Sequence, residues 1–224
     1  MKQECQIDTI IVPQGAEYRA VYRGLQKTNA EVRVLTIPLG TKNVAQILSD
    51  RSVQLDNSRQ LLILGLCGSL DPAYKIGDGV LIQSCQDLDR NWIDLDRQLT
   101  FKLRDKLSIK TVTSLTSDRV VALVEDKLQL ARNYATNVVE MEGYSYISQL
   151  QQRGIAVTML RVVSDDLDSN ILDLTSAIDP NGDLKAISMA IAFLKQPITA
   201  VRLIRGSLAG LKTLEQIATK LFSS

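Results

Sequence analysis

Short apolar runs alternate with longer stretches of helical periodicity along most of this chain. "DTIIVPQG" (residues 8–15) reads as a strand and turn, and "AEYRAVYRGLQK" (16–27) then sets Ala16, Ala20, Val21 and Leu25 at helical spacing. Further strands are expected at 30–40, 60–70, 78–85, 108–117, 136–143 and 155–166. Helices are expected at 42–50, 90–107, 122–134 and 144–154. The stretch "QLLILGLCGSL" (60–70) is apolar on both faces and ends in glycine, as a buried parallel strand would. The last fifth is helical with a break at Pro197. This order predicts an α/β fold with a mostly parallel or mixed sheet, in a single domain spanning 1–224.

Composition removes several function classes. Histidine is absent, which excludes a Ser-His-Asp triad, a Cys-His dyad and histidine-built metal sites. Acid–base chemistry must rest on Asp, Glu, Lys, Tyr or Cys. The net charge of +1 gives no field that would draw nucleic acid. The three cysteines form no CxxC pair, so neither a disulfide framework nor a metal site is expected. The start "MKQECQIDTIIVPQG" is too polar for a signal peptide, and no window has the apolar length of a membrane span. A cytoplasmic protein is the expectation.

In an α/β sheet, ligands gather at the carboxyl ends of strands. The polar residues at those ends are Gln14 and Glu17, Cys67 to Ser69, Ser117 to Arg119, Glu140 and Glu142, and Ser164 to Asp168. Asp165, in an apolar cleft near other carboxylates, should hold a proton and could donate it. Glu142, at a helix opening, should be favoured as an anion by the helix dipole. One acid and one fixed anion suit the cleavage of a glycosidic bond, whose transition state is cationic. Glu17 could activate water. The other reading is structural: such carboxylates cap the next helix or pair with an arginine, and Arg161 could hold Asp165 ionised.

Four segments, in order, resemble the purine and uridine phosphorylase type of the nucleoside phosphorylase and nucleosidase superfamily. They are "VPQGAEYRAV", "LGLCGSLDPAYKIGDGVLI", "VVEMEGYS" and "MLRVVSDDLD", and the similarity covers residues 8–195. The stretch "TSDRVVALVEDKLQLARNYATNVVEMEG" and the tail "FLKQPITAVRLIRGSLAGLKTL" are similar to hopanoid-associated phosphorylases, which are linked to removing adenine from adenosylhopane. Methylthioadenosine/S-adenosylhomocysteine nucleosidases share the core motifs.

The resemblance implies a three-layer αβα sandwich with a mixed central sheet, in a homodimer or larger oligomer. It implies cleavage of the N-ribosidic bond of a purine nucleoside, with adenine as the expected base and a lipid-linked adenosine as one candidate substrate. In these terms Asp165 is the general acid at the base, with Ser164 beside it. Glu142 binds the ribose hydroxyls, with Met141 against the sugar. Glu17 positions the attacking water, Arg161 supports the site, and Cys67 and Gly68 lie where water or phosphate approaches. No cofactor and no metal are implied, but inorganic phosphate stays open as co-substrate.

The chain also departs from the pattern. Leu66 stands where the nucleosidases carry serine, and neither Arg19 nor Arg23 matches a phosphate ligand, although Ser69 could substitute in part. Hydrolysis is therefore preferred, and a fold-keeping binding protein without turnover is the alternative. Arg119 could contact substrate or an acid, and Trp92 could pack on a base or serve structure. An amphipathic helical tail is expected at about 197–222, with apolar Val201, Ile204, Leu208, Leu211, Leu214, Ala218 and Leu221, and basic Arg202, Arg205, Lys212 and Lys220. It could pack on its own core or a neighbouring subunit, or rest on an anionic membrane as a peripheral contact.

Overall fold

Leu61, Leu62, Ile63 and Leu64 are all fully buried in one strand, which requires layers on both faces of the sheet. The structure is a computed structural model that describes residues 7–40, 44–50, 55, 58–173 and 186–223. Its strands are β1 (Thr9–Pro13), β2 (Arg33–Ile37), β3 (Gln60–Ser69), β4 (Gly79–Gln86), β5 (Trp92–Asp94), β6 (Lys110–Thr116), β7 (Val138–Glu140) and β8 (Ala156–Asp165). Its helices are α1 (Ala16–Leu25), α2 (Val44–Asp50), α3 (Arg97–Leu107), α4 (Val124–Tyr134), α5 (Gly143–Gln151), α6 (Ala186–Lys195) and α7 (Pro197–Phe222).

Alternation along the strands sorts the core into two layers. Ile11, Ile63 and Met159 face one side, with Leu48 of α2 and Tyr146, Ile147 and Leu150 of α5. Ile10, Leu62, Leu64 and Leu160 face the other, with α1, α3 and the second half of α7. This is the expected three-layer α/β arrangement with a mixed sheet. The pairing also closes on itself. β3 pairs parallel with β8, β8 antiparallel with β4, β4 parallel with β6, β6 parallel with β7, and β7 antiparallel with β3. β1 and β2 extend the sheet from β3, and β5 extends it from β4. The closed circuit brings the ends of β3, β7 and β8 together.

Two sequence expectations are corrected. The stretch 90–107 is not all helix: Trp92–Asp94 form the edge strand β5, antiparallel to β4, across a turn in which Asp87 accepts hydrogen bonds from Asn91. The helix waits for a cap, which Asp96 supplies by accepting from the Leu99 N–H at 2.8 Å. Trp92 is half exposed on that edge. The strand expected at 136–143 stops at Glu140, because the Glu140 carboxylate turns the chain by accepting the N–H groups of Glu142 and Gly143.

The tail is one helix that starts with Pro197 at its first turn, where the missing N–H costs nothing. Its two halves differ. Leu214, Ala218 and Leu221 are buried against α1 and α3, and Glu215 bridges to Arg23 and Lys27 of the first helical region. Ile198, Val201, Ile204 and Leu208 in the first half are exposed. Between them the helix backbone presses on the end of β8. A Cβ on Gly206 would lie 2.0 Å from the Ser164 carbonyl oxygen, so only glycine allows this approach.

Candidate active site

β3 and β8 run side by side until a bulge between Cys67 and Gly68 sets Gly68 opposite Asp165. β7 meets the same strand end, with Val139 opposite Gly68. The chain then leaves β7 through Met141 and Glu142 into α5. These ends surround an open cleft of about 150 Å³. Glu17, Cys67, Gly68, Met141, Glu142, Ser164 and Asp165 all line it. Arg161, two turns of the pleat back along β8, is fully buried beneath the floor.

A buried charge network forms that floor. The Arg161 guanidinium donates to Glu140 at 2.6 Å and to Glu142 at 3.4 Å. Glu140 is fully engaged: it also accepts the N–H groups of Glu142 (2.9 Å) and Gly143 (2.6 Å) and the Thr116 hydroxyl. It organises the turn, whereas Glu142 faces the cleft. Glu142 is otherwise held by the Gly40 N–H at 3.0 Å. The expectation that helix geometry favours Glu142 as an anion is corrected. Its side chain caps nothing, and burial pushes its pKa up, with Arg161 opposing and Glu140 adding to the rise.

Glu17 opens α1 and accepts the Leu66 N–H at 2.7 Å. Burial of its carboxyl, then the nearby Glu142 charge, raise its pKa to about 7, although the Leu66 hydrogen bond and Arg161 pull it down. Gly65 makes room for both groups. A Cβ there would stand 2.0 Å from Arg161 Nη1 and 3.1 Å from Glu17 Oε1. Nη1 and Nε of Arg161 have no hydrogen-bond acceptor among the described residues.

Glu17 gives a pH signature. It loses its proton near 7 in the folded chain but near 4.5 when unconstrained. The folded state therefore holds the extra proton between those values. Stability from this group is fully present below 4.5 and is lost as pH rises to 7. Urea unfolding of Glu17→Gln across this range should show a flatter pH dependence than wild type. Equal slopes would show that Glu17 titrates normally.

Asp165 is not held by Arg161, contrary to one sequence expectation. Its partner is Lys127, a residue the sequence reading passed over. Lys127 Nζ forms an ion pair with Asp165 Oδ2 and donates to the Asp166 carbonyl at 2.9 Å. The other carboxylate oxygen accepts from the Ser164 hydroxyl at 2.9 Å. One signal for Lys127 was available: it occupies the apolar stripe of α4 with Val124, Ala131 and Tyr134, at helical spacing.

The remaining candidates sort plainly. Cys67 is buried, and burial pushes its thiol up, so it is not a nucleophile at neutral pH. Ser69 is buried and bound to the backbone of Asp71, so it is not offered to phosphate. Arg23 pairs with Glu215 on the outer side of α1. Arg119 lines the cleft and also pairs with Asp126 at 3.0 Å. Beside Asp165 the wall is apolar, made by Val120, Val121 and Ile171.

Comparisons with known proteins agree with this architecture. The sequence profile of the phosphorylase superfamily matches residues 6–186. No curated protein sequence matches the chain significantly. Among solved structures, it is similar to native futalosine hydrolase of Helicobacter pylori, with a TM-score of 0.65 and 17% identity over 93% of this chain and 95% of that one. The 5'-methylthioadenosine/S-adenosylhomocysteine nucleosidase of Helicobacter pylori, solved with butyl-thio-DADMe-Immucillin-A, gives 0.64 and 18% identity over 93% and 96%. The apo 5'-methylthioadenosine nucleosidase of Arabidopsis thaliana gives 0.60 and 17% identity over 93% of each chain. With four motifs in order, a matching fold and a profile that spans most of its length, the chain belongs to the phosphorylase superfamily.

Proposed function

We propose that this enzyme cleaves the N-ribosidic bond of a purine nucleoside by hydrolysis, with adenine as the base released. The observation that carries this reading is the convergence of Glu17, Glu142 and Asp165 on one cleft. Glu142 accepts hydrogen bonds from the ribose hydroxyls, and Met141 packs on the sugar. The apolar wall of Val120, Val121 and Ile171 beside Asp165 suits a flat base whose ring nitrogens face a carboxyl group. Glu17, ionised at the upper end of its titration, takes the proton of the attacking water. Hydrolysis is favoured over phosphorolysis because the one arginine lining the cleft among the described residues, Arg119, is engaged by Asp126.

A lipid-linked adenosine is the substrate this surface supports best. A second cleft of about 240 Å³ shares Ser164, Asp165 and Ile171 with the first and runs to Arg202 and Arg205 on α7. On α6 and α7, Leu194, Ile198 and Leu208 are exposed by 83%, 69% and 61%, which is costly unless something apolar covers them. No helix among the described residues is long and apolar enough to cross a membrane. Removing the tail would also remove buried Leu214 and Ala218, so point changes are the sound test. Leu194→Ser/Ile198→Ser/Leu208→Ser should weaken sedimentation with anionic liposomes and leave cleavage of soluble nucleosides intact. Unchanged liposome binding would remove the lipid reading.

One observation favours a second reading, a nucleoside-binding protein without turnover: Lys127 occupies the carboxylate that should be the acid. Incubation with methylthioadenosine, adenosine and a lipid-linked adenosine, with and without phosphate, decides between them. Free adenine without phosphate is the expected result. No release from any substrate favours the binding protein, and release that needs phosphate overturns hydrolysis.

A further inference from the structure

We infer that Lys127 is the positioning residue and proton store for Asp165, so that the acid of this site is an ion pair rather than a lone carboxyl. This rests on the nucleosidase reading above. Lys127 is the one residue of α4 that is wholly buried, while Leu128 on the same helix is exposed. Burying an ammonium is unfavourable, and an apolar side chain would serve structure better. The pair is held from several sides. Nζ is shared between Asp165 and the Asp166 carbonyl, the Val124 N–H donates to Asn170 at 2.8 Å, and the Ile171 N–H donates to the Ala122 carbonyl at 3.0 Å. The start of α4 and the segment after β8 therefore form one unit around the carboxylate.

The chemistry follows from where the proton resides. In the ion pair it sits on Lys127, and Asp165 is a carboxylate. A base in the cleft removes the remaining water from Asp165, which is 8% exposed. Two buried charges then become two neutral groups when the proton moves from nitrogen to oxygen, a change that a drier site favours. As the C–N bond breaks, its electron pair goes to the base, and Asp165 passes that proton to a ring nitrogen. The oxygen of water bonds to the sugar carbon, and the proton it sheds goes to Glu17. Solvent takes the Glu17 proton and returns one to Lys127 after the products leave. The acid is thus formed only when substrate is bound.

Leaving-group dependence tests this. Wild type, Lys127→Met and Lys127→Ala would be compared on methylthioadenosine and on p-nitrophenyl riboside, whose nitrophenolate departs without a proton. For Lys127→Met, kcat on the purine nucleoside should fall about 100-fold, with KM little changed, and kcat on the aryl riboside by less than about 3-fold. Ethylamine should restore part of the lost purine activity in Lys127→Ala, which also serves if Lys127→Met folds poorly. Parallel loss on both substrates, or purine cleavage as fast as wild type, would overturn the inference while leaving the nucleosidase reading intact. A wild type that cleaves the aryl riboside but no purine nucleoside would also overturn it, because the pair would then be withholding the proton. A wild type inactive on both would remove the nucleosidase reading itself, and this inference with it.

Discussion

Asp165→Asn should reduce adenine release about 1,000-fold, the scale of losing a general acid. The amide keeps the shape and can still meet the base, but it cannot relay a proton. The same change should destabilise the fold, because Lys127 would stay buried without its counter-charge, a situation that costs about 3–5 kcal/mol. The two effects separate in the double variant Asp165→Asn/Lys127→Met. It should regain most of the stability in urea unfolding and none of the activity. If Asp165→Asn keeps wild-type turnover, Asp165 is not the acid. If the double variant is no more stable than the single one, the ion pair is not what strains it.

Arg161→Met should destabilise the fold on the same scale. The guanidinium is fully buried and is the shared counter-charge of Glu140 and Glu142, with Glu17 close enough to feel it. Without it, Glu140 keeps the Thr116 hydroxyl and two backbone N–H groups, and Glu142 keeps the Gly40 N–H, but three carboxyl groups face one another unscreened. Breaking a buried pair in this way costs about 3–5 kcal/mol. The sign of the pH effect also follows. Arg161 holds the Glu17 pKa down, so its loss should raise that pKa and move the acid limb of kcat/KM to higher pH than in the wild type. Urea unfolding and a pH–rate profile of the variant would check both. A fold of normal stability would mean that the carboxyl groups are protonated and need no cation.

Much of this was legible beforehand because it depends on local pattern. The apolar run at 60–70 reads as a strand covered on both faces, that at 155–166 as a strand, and Pro197 as a break between helical stretches. Glu17, Glu142 and Asp165 were visible because polar residues at strand ends have few other places to go. The short β5 was missed because the Asp87–Asn91 turn competes with a helical spacing that continues through Asp96. The tail was read as one amphipathic face, although its first half is exposed and its second half is core. Periodicity gives the stripe but not what covers it.

The sequence by itself determined the α/β layering and the set of carboxylates that arrive at one end of the sheet. These follow from alternation and strand polarity, which are properties of consecutive residues. Only the tertiary structure decided how those carboxylates are partnered. The closed circuit of β3, β8, β4, β6 and β7 places Arg161 under Glu140 and Glu142, and α4 carries Lys127 to Asp165 across 38 residues of chain. An ion pair depends on distance and burial, and neither is written in spacing along a sequence. Whether Asp165 starts as an acid or as half of a salt bridge was therefore set by a helix whose own pattern places Lys127 on its inner face but does not name the partner it meets there.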